Sequence, residues 1–123
     1  YLNLWAKEAG RVDHFHLLRY EDLRSAPHRE LRRLLDFMQV AASDAHVDAA
    51  VEYSSYEIMK KMEGERQFRL SGGRMMPRDK DNPNSYKVRR AKVGGYRDYF
   101  TDEEVVVIDK LLADTLDPMF GYK

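Results

Sequence analysis

Apolar side chains recur at helical spacing in several stretches of the sequence, so the pattern predicts a mainly helical chain. The first such helix covers residues 2–9 and ends at Gly10, a residue type that suits a left-handed helix terminus. The next begins near Pro27 and ends at Val40. Its apolar residues fall on one face, which consists of Leu31, Leu34, Leu35 and Met38.

Hydroxyl and acidic residues mark three further helix starts. Ser43 with Asp44 begins one helix, and Ser54 or Ser55 caps the next. Thr101 begins the last helix with a capping box, and Pro118 follows its end. We expect these helices to turn the following residues inward: Val47, Ala50 and Val51; Ile58, Met59 and Met62; and Val105, Ile108, Leu111, Leu112 and Leu116.

Two stretches depart from the helical pattern. The run His14–Tyr20 is rich in apolar residues and bounded by polar ones, which is typical of a buried parallel strand. Such a strand needs neighbours on both edges. Residues 69–86 contain glycines, prolines and asparagines among scattered charges, which predicts a long loop of the kind that is often functional or mobile.

Composition limits the classes of function. The 123 residues amount to one domain at most, and 21 basic residues balance 21 acidic ones, so no overall field favours nucleic acid or an anionic membrane. The absence of cysteine excludes disulfides, thiolate nucleophiles and cysteine-based zinc sites, and is compatible with the cytoplasm. No apolar run has the length of a membrane span. His14 and His16 share a face of the predicted strand without a third ligand nearby, so we predict no metal site.

The stretch Lys87–Thr101 has the composition of an anion-binding segment. It places five cations and two glycines directly before the last predicted helix. Guanidinium groups can bind phosphate oxygens bidentately, and glycines let main-chain N–H groups approach a ligand closely. The alternative is a solvated basic loop, the commoner fate of a run of charges.

Two other motifs accompany this stretch, in a defined order. The first is Leu18-Arg19-Tyr20-Glu21-Asp22-Leu23, and the second is Ser54-Ser55-Tyr56-Glu57-Ile58-Met59-Lys60. Together with the basic stretch and the tail Phe120-Gly121-Tyr122, they resemble the C-terminal part of the sulfotransferases that use 3′-phosphoadenosine 5′-phosphosulfate (PAPS). The resemblance covers nearly the whole chain.

This resemblance implies a fold, a cofactor and a missing part. The fold would be the C-terminal part of a three-layer α/β domain related to P-loop kinases, with residues 1–123 forming one mainly helical piece with about one parallel strand. The cofactor would be PAPS, or its product adenosine 3′,5′-bisphosphate. The family's catalytic base and its loop for the 5′-phosphosulfate belong to an N-terminal half, and neither is recognisable here, so we assign no catalytic residue and expect this piece alone to be inactive.

The resemblance also assigns cofactor contacts. Arg89 and Arg90 match the Arg-Lys pair that binds the 3′-phosphate, and Ala91 stands where the family has glycine. Glycine there lets a backbone N–H reach the phosphate at positive φ, so binding should weaken if Ala91 needs that conformation. Tyr20 matches a strand-end tyrosine near the adenine. The residues matching the motif that borders adenine and ribose are Ser54, Ser55, Tyr56 and Met59, whose alternative role is a helix cap with core residues.

The resemblance also implies partners, and two rival functions stay open beside it. We expect a small-molecule or glycan acceptor and the N-terminal half of the domain as partners. A homodimer stays open, because Arg97 and Thr101 fit a dimerisation segment of some cytosolic members whereas Asp102 and Val106 do not. The rival functions are a non-catalytic module that binds a nucleotide or phosphate and a helical interaction domain.

Overall fold

The computed structural model describes residues 1–68 and 74–122, and the regular elements within these ranges are helices. Single turns of 3-10 helix lie at Ala9–Arg11, Pro83–Ser85, Gly95–Asp98 and Pro118–Phe120. The α-helices are α1 (Leu2–Glu8), α2 (Tyr20–Ser25), α3 (Pro27–Phe37), α4 (Asp44–Tyr53), α5 (Tyr56–Gly64) and α6 (Asp102–Thr115).

The helix starts predicted from hydroxyl residues are confirmed. The side chains of Ser43, Ser55 and Thr101 accept hydrogen bonds from main-chain N–H groups in the first turns of α4, α5 and α6. At Thr101 the capping box is complete, because the Glu104 carboxylate also accepts from the Thr101 N–H at 2.9 Å. These caps satisfy amides that have no partner inside their helices, which is why the sequence places the starts so well.

Several helix ends differ from the prediction. α1 ends at Glu8 and continues into a 3-10 turn that contains Gly10, which is not in the left-handed region. α3 ends at Phe37 instead of Val40, because Gln39 adopts φ 57° and turns the chain out of the helix. These ends are set by backbone turns that carry no strong sequence signal.

The predicted strand at His14–Tyr20 is wrong. Residues 14–19 form no regular element, and Tyr20 is the first residue of α2. Arg19 has an extended backbone, but a strand requires a neighbouring backbone to pair with, and residues 1–68 and 74–122 provide no strand. The fold prediction is therefore correct for a mainly helical piece and incorrect for its one strand.

The chain divides into two compact units. The central unit is Pro27–Lys92, and the terminal unit combines Tyr1–Ala26 with the residues from Val93 onward. In the central unit α4 contacts both α3 and α5, and Arg32 of α3 donates to the Ala42 carbonyl at 2.7 Å and pairs with Asp44. Its buried side chains include Val47, Met62, Glu30 and Glu63.

The terminal unit is held together by contacts between residues far apart in sequence. The Asn3 side chain donates to the Thr115 carbonyl at 2.6 Å and accepts from the Asp117 N–H at 2.9 Å. The Tyr122 hydroxyl donates to Glu21 at 2.9 Å, and the Arg19 guanidinium lies 4.8 Å from the Tyr122 ring centre. These contacts fix the C-terminal end of α6 and the start of α2 within one unit.

The apolar face predicted for α6 is only partly covered. Val105 is buried, whereas Leu111 is 60 % exposed and Leu112 is 38 % exposed. The prediction of an inward position is therefore wrong for Leu111 and Leu112, and also for Ala50 of α4, which is exposed. In the described ranges, no helix is both long and apolar enough to cross a membrane.

Candidate functional site

The candidate site lies in the central unit, where α5 meets a basic stretch of chain. We call Lys87–Lys92 the basic segment; it contains Arg89, Arg90 and Ala91 and forms no helix or strand. The start of α5 carries Ser55 and Tyr56, both half-buried. The two motifs that we expect to bind one cofactor therefore fall within the same compact unit.

A direct hydrogen bond joins these two motifs. The Tyr56 hydroxyl donates to the Arg89 carbonyl at 2.7 Å, across 33 residues of sequence. The Lys60 ammonium, one turn further along α5, donates to the Tyr56 hydroxyl at 2.9 Å and to the Arg89 carbonyl at 3.5 Å. Its Nζ also lies 5.9 Å from the centre of the Tyr86 ring, so a cation and two aromatic rings flank the segment.

A buried carboxylate holds the start of the basic segment. Glu63, in the last turn of α5, has an exposed fraction of 0 %. Its Oε1 accepts from the Lys87 N–H at 2.6 Å, and its Oε2 accepts from the Val88 N–H at 2.8 Å. Hydrogen bonds to an ionised acceptor are short and strong, so this contact fixes two consecutive peptide groups.

The residues that follow this anchor differ from it in exposure and in backbone conformation. Arg89 and Arg90 are exposed, and an Arg89 Nη2 donates to the Asn84 side chain at 3.3 Å. Ala91 adopts φ 48°, in the left-handed region that L-residues other than glycine rarely occupy. Ala91 thus has the positive-φ conformation that we considered for this position from the sequence.

The remaining predicted contacts have different positions. Ser55 caps α5 by accepting from the Ile58 N–H at 3.4 Å, while the Ser54 hydroxyl donates to the Val51 carbonyl at 3.3 Å. Met59 is half-buried on the Tyr56 side of α5. Tyr20 belongs to the terminal unit and is 47 % exposed at the start of α2. The structure therefore brings Ser55, Tyr56 and the basic segment together within one unit, and Tyr20 is not part of it.

Sequence reasoning missed Lys60 and Glu63 as parts of this site. Both follow Tyr56 at helical spacing, so they lie on the face of α5 that also carries Met59. A carboxylate beside the apolar residues Met59 and Met62 was the available signal, because such a group is rarely buried without a specific partner. The sequence could not identify that partner, since it is a pair of main-chain amides.

Metal binding receives no support from the described residues. In the described ranges, no three histidine, aspartate or glutamate side chains lie close enough together to hold a metal ion.

The 69–86 loop, where it is described, is ordered by its own polar groups: the Asp81 N–H donates to Asp79 at 3.0 Å, and the Tyr86 hydroxyl donates to the Lys80 carbonyl at 3.2 Å. The start of this predicted loop, residues 69–73, lies outside the described residues.

Comparison with known proteins gives a consistent result. A family model described as a sulfotransferase domain matches residues 1–120. Relatives include flavonol 4′-sulfotransferase of Flaveria chlorifolia, 26 % identical over 94 % of this chain and 36 % of the relative, and flavonol 3-sulfotransferase of Flaveria bidentis, 26 % identical over 94 % and 37 %. Cytosolic sulfotransferase 17 of Arabidopsis thaliana is 28 % identical over 92 % of this chain and 33 % of its own length.

These relatives are much longer than the matched region, since the chain spans about a third of their length. No solved structure has significant similarity to the chain. The family model nevertheless covers nearly every residue, including both motifs that meet at the basic segment. The chain therefore belongs to the sulfotransferase domain family.

Proposed function

We propose that this chain provides the contacts to the 3′-phosphate and adenine of PAPS in a sulfotransferase. The observation that carries the proposal is the hydrogen bond from Tyr56 to the Arg89 carbonyl, because it joins the motif expected at the adenine to the motif expected at the phosphate. Arg89 and Arg90 would bind the 3′-phosphate, and Ser54, Ser55, Tyr56 and Met59 would border adenine and ribose. Tyr20 remains a proposed adenine contact on sequence grounds alone.

The residues present fit an anionic nucleotide. Two exposed guanidinium groups offer bidentate donors, and Lys60 adds a third cation beside the Tyr56 ring at 5.3 Å. The left-handed conformation of Ala91 is the one that lets a main-chain N–H turn toward a bound phosphate. An aromatic ring and a thioether at the start of α5 suit a purine.

The whole enzyme would transfer a sulfuryl group from PAPS to an acceptor hydroxyl or amine. The new bond joins sulfur to the acceptor atom, the bond from sulfur to the bridging phosphate oxygen breaks, and the acceptor proton passes to a base. This chain would hold the nucleotide, and we assign it no catalytic residue. The relatives' names support a small-molecule acceptor, since two of them are flavonol sulfotransferases, and a cytosolic relative supports a cytoplasmic location.

Calorimetric titration with adenosine 3′,5′-bisphosphate tests the proposal. We expect binding to require the 3′-phosphate, so that AMP binds much more weakly, and to fall at least about tenfold in an Arg89→Ala/Arg90→Ala variant, because each charged hydrogen bond contributes about 1.5–3 kcal/mol. An Arg24→Ala/Arg78→Ala variant removes the same charge from exposed positions and should bind normally. Equal affinity for AMP, or an equal loss in both double variants, would contradict the proposal.

A further inference from the structure

Glu63 is an unusual residue for the place it occupies. Its side chain is completely buried, and it lies in the last turn of α5, where the helix dipole disfavours negative charge. Burying a carboxylate costs free energy unless charged hydrogen bonds compensate for the lost water. Its two main-chain partners, the Lys87 and Val88 N–H groups at 2.6 and 2.8 Å, provide that compensation.

The partners of Glu63 lie immediately before the residues of the proposed phosphate site. Fixing the peptide groups of Lys87 and Val88 leaves the main chain little freedom at Arg89, whose carbonyl is held in turn by Tyr56 at 2.7 Å. Consecutive anchors from one helix therefore set the course of the chain from Lys87 to Arg89. Such preorganisation lowers the conformational entropy lost when a ligand binds.

We infer that Glu63 is a positioning residue that holds the basic segment in its anion-binding course. The inference rests on the proposed function for the identity of the anion, while the anchoring itself rests on the contacts of Glu63. Glu63 touches main-chain amides, so its effect on a ligand would pass through the arginines that follow.

The direction in which Glu63→Gln changes the ligand affinity distinguishes positioning from a simple charge effect. A negative charge near an anion site repels the ligand, so replacing Glu63 by neutral glutamine should tighten binding if charge were its only effect. Glutamine keeps the shape of the side chain and one acceptor oxygen, but its NH₂ group cannot accept from the second main-chain N–H. Weaker binding by Glu63→Gln would therefore indicate lost positioning.

The experiment combines hydrogen exchange with calorimetry on wild type and Glu63→Gln. We expect the Lys87 and Val88 amides to exchange about tenfold faster in the variant, and affinity for adenosine 3′,5′-bisphosphate to fall about tenfold. Glu57→Gln makes the same charge change at an exposed position of α5 and should alter neither quantity. Far-UV circular dichroism confirms that each variant is folded.

The outcomes separate this inference from the proposed function. The role of Glu63 is overturned if the Lys87 and Val88 amides exchange at the same rate in the variant. It is also overturned if wild type binds the nucleotide and the variant binds it equally well or more tightly. If wild type binds no adenosine 3′,5′-bisphosphate, the proposed function fails, and the exchange rates alone support or overturn the anchoring. If Glu63→Gln does not fold, Glu63→Asp keeps the charge but shortens the side chain that reaches the Lys87 and Val88 amides, and the same two readouts decide.

Discussion

At the scale of single residues, Ala91 combines a conformational cost with a proposed role. Its φ of 48° places the Cβ close to the following carbonyl oxygen, which costs an L-residue about 1–2 kcal/mol. Glycine avoids this cost but has more freedom in the unfolded chain, which offsets part of the gain. The residue thus holds a strained backbone directly after the two arginines.

Replacing Ala91 by glycine should therefore stabilise the protein. We expect Ala91→Gly to raise the free energy of unfolding by about 0.5–1 kcal/mol in urea denaturation, and to leave the affinity for adenosine 3′,5′-bisphosphate almost unchanged, because the unbound protein already holds Ala91 in this conformation. Ala41 is exposed, non-helical and outside the left-handed region, so Ala41→Gly should be neutral or destabilising. A loss of stability in Ala91→Gly would contradict the strain.

Glu30 shows how one buried carboxylate couples stability to pH. Its side chain is 1 % exposed and accepts from Arg29 at 2.8 Å and from Arg33 at 2.9 Å. The hydrogen bond from Arg29 is the largest influence and lowers the pKa of Glu30 below its ordinary value of 4.5, although burial acts in the opposite direction and Arg33 adds a further lowering. The folded state therefore prefers the ionised form.

The sign of the resulting pH dependence follows from that lowered pKa. The contribution of Glu30 is fully present above pH 4.5 and is lost as the pH falls through the lower pKa of the folded state. Urea denaturation between pH 7 and pH 3 should show wild type losing stability below about pH 4.5 more steeply than Glu30→Gln. Glu52→Gln, at an exposed position of α4, should follow wild type, and parallel curves for all three proteins would contradict this assignment.

At the scale of helices, the caps of α5 and α6 allow stability and binding to be separated. Ser55 caps α5 inside the candidate site, whereas Thr101 caps α6 in the terminal unit. We expect Ser55→Ala and Thr101→Ala each to lower the free energy of unfolding by about 1 kcal/mol. In calorimetry, only Ser55→Ala should also weaken binding of adenosine 3′,5′-bisphosphate, and an equal effect of both variants on affinity would count against Ser55 as a contact.

The same elements show what the sequence could and could not predict. Helix starts were predictable because a cap is a local contact: Ser43, Ser55 and Thr101 bond to amides within the next turn. The cations of the basic segment could likewise be recognised from the sequence alone. Glu63 was not, because its partners are peptide groups 24 and 25 residues away that have no side-chain signature. The His14–Tyr20 run failed because a strand depends on a partner that its own pattern cannot specify.

At the scale of the whole molecule, each unit has a small buried core. The buried apolar residues in the described ranges include Val47 and Met62 in the central unit and Val105 and Phe120 in the terminal unit, while much of the α6 face is exposed. Polar contacts between distant residues therefore carry a large share of the tertiary organisation. Glu63 has this role in the central unit and Asn3 has it in the terminal unit.

The contacts of Asn3 also have a consequence for the kinetics of folding. Its two hydrogen bonds join residues 112 and 114 positions apart, so they can form only after nearly the whole chain has come together. We expect Asn3→Ala to speed unfolding about fivefold in stopped-flow measurements and to leave the folding rate almost unchanged, because these bonds are absent from the transition state. Slower folding in the variant would instead mean that the two ends of the terminal unit meet early, before α6 is complete.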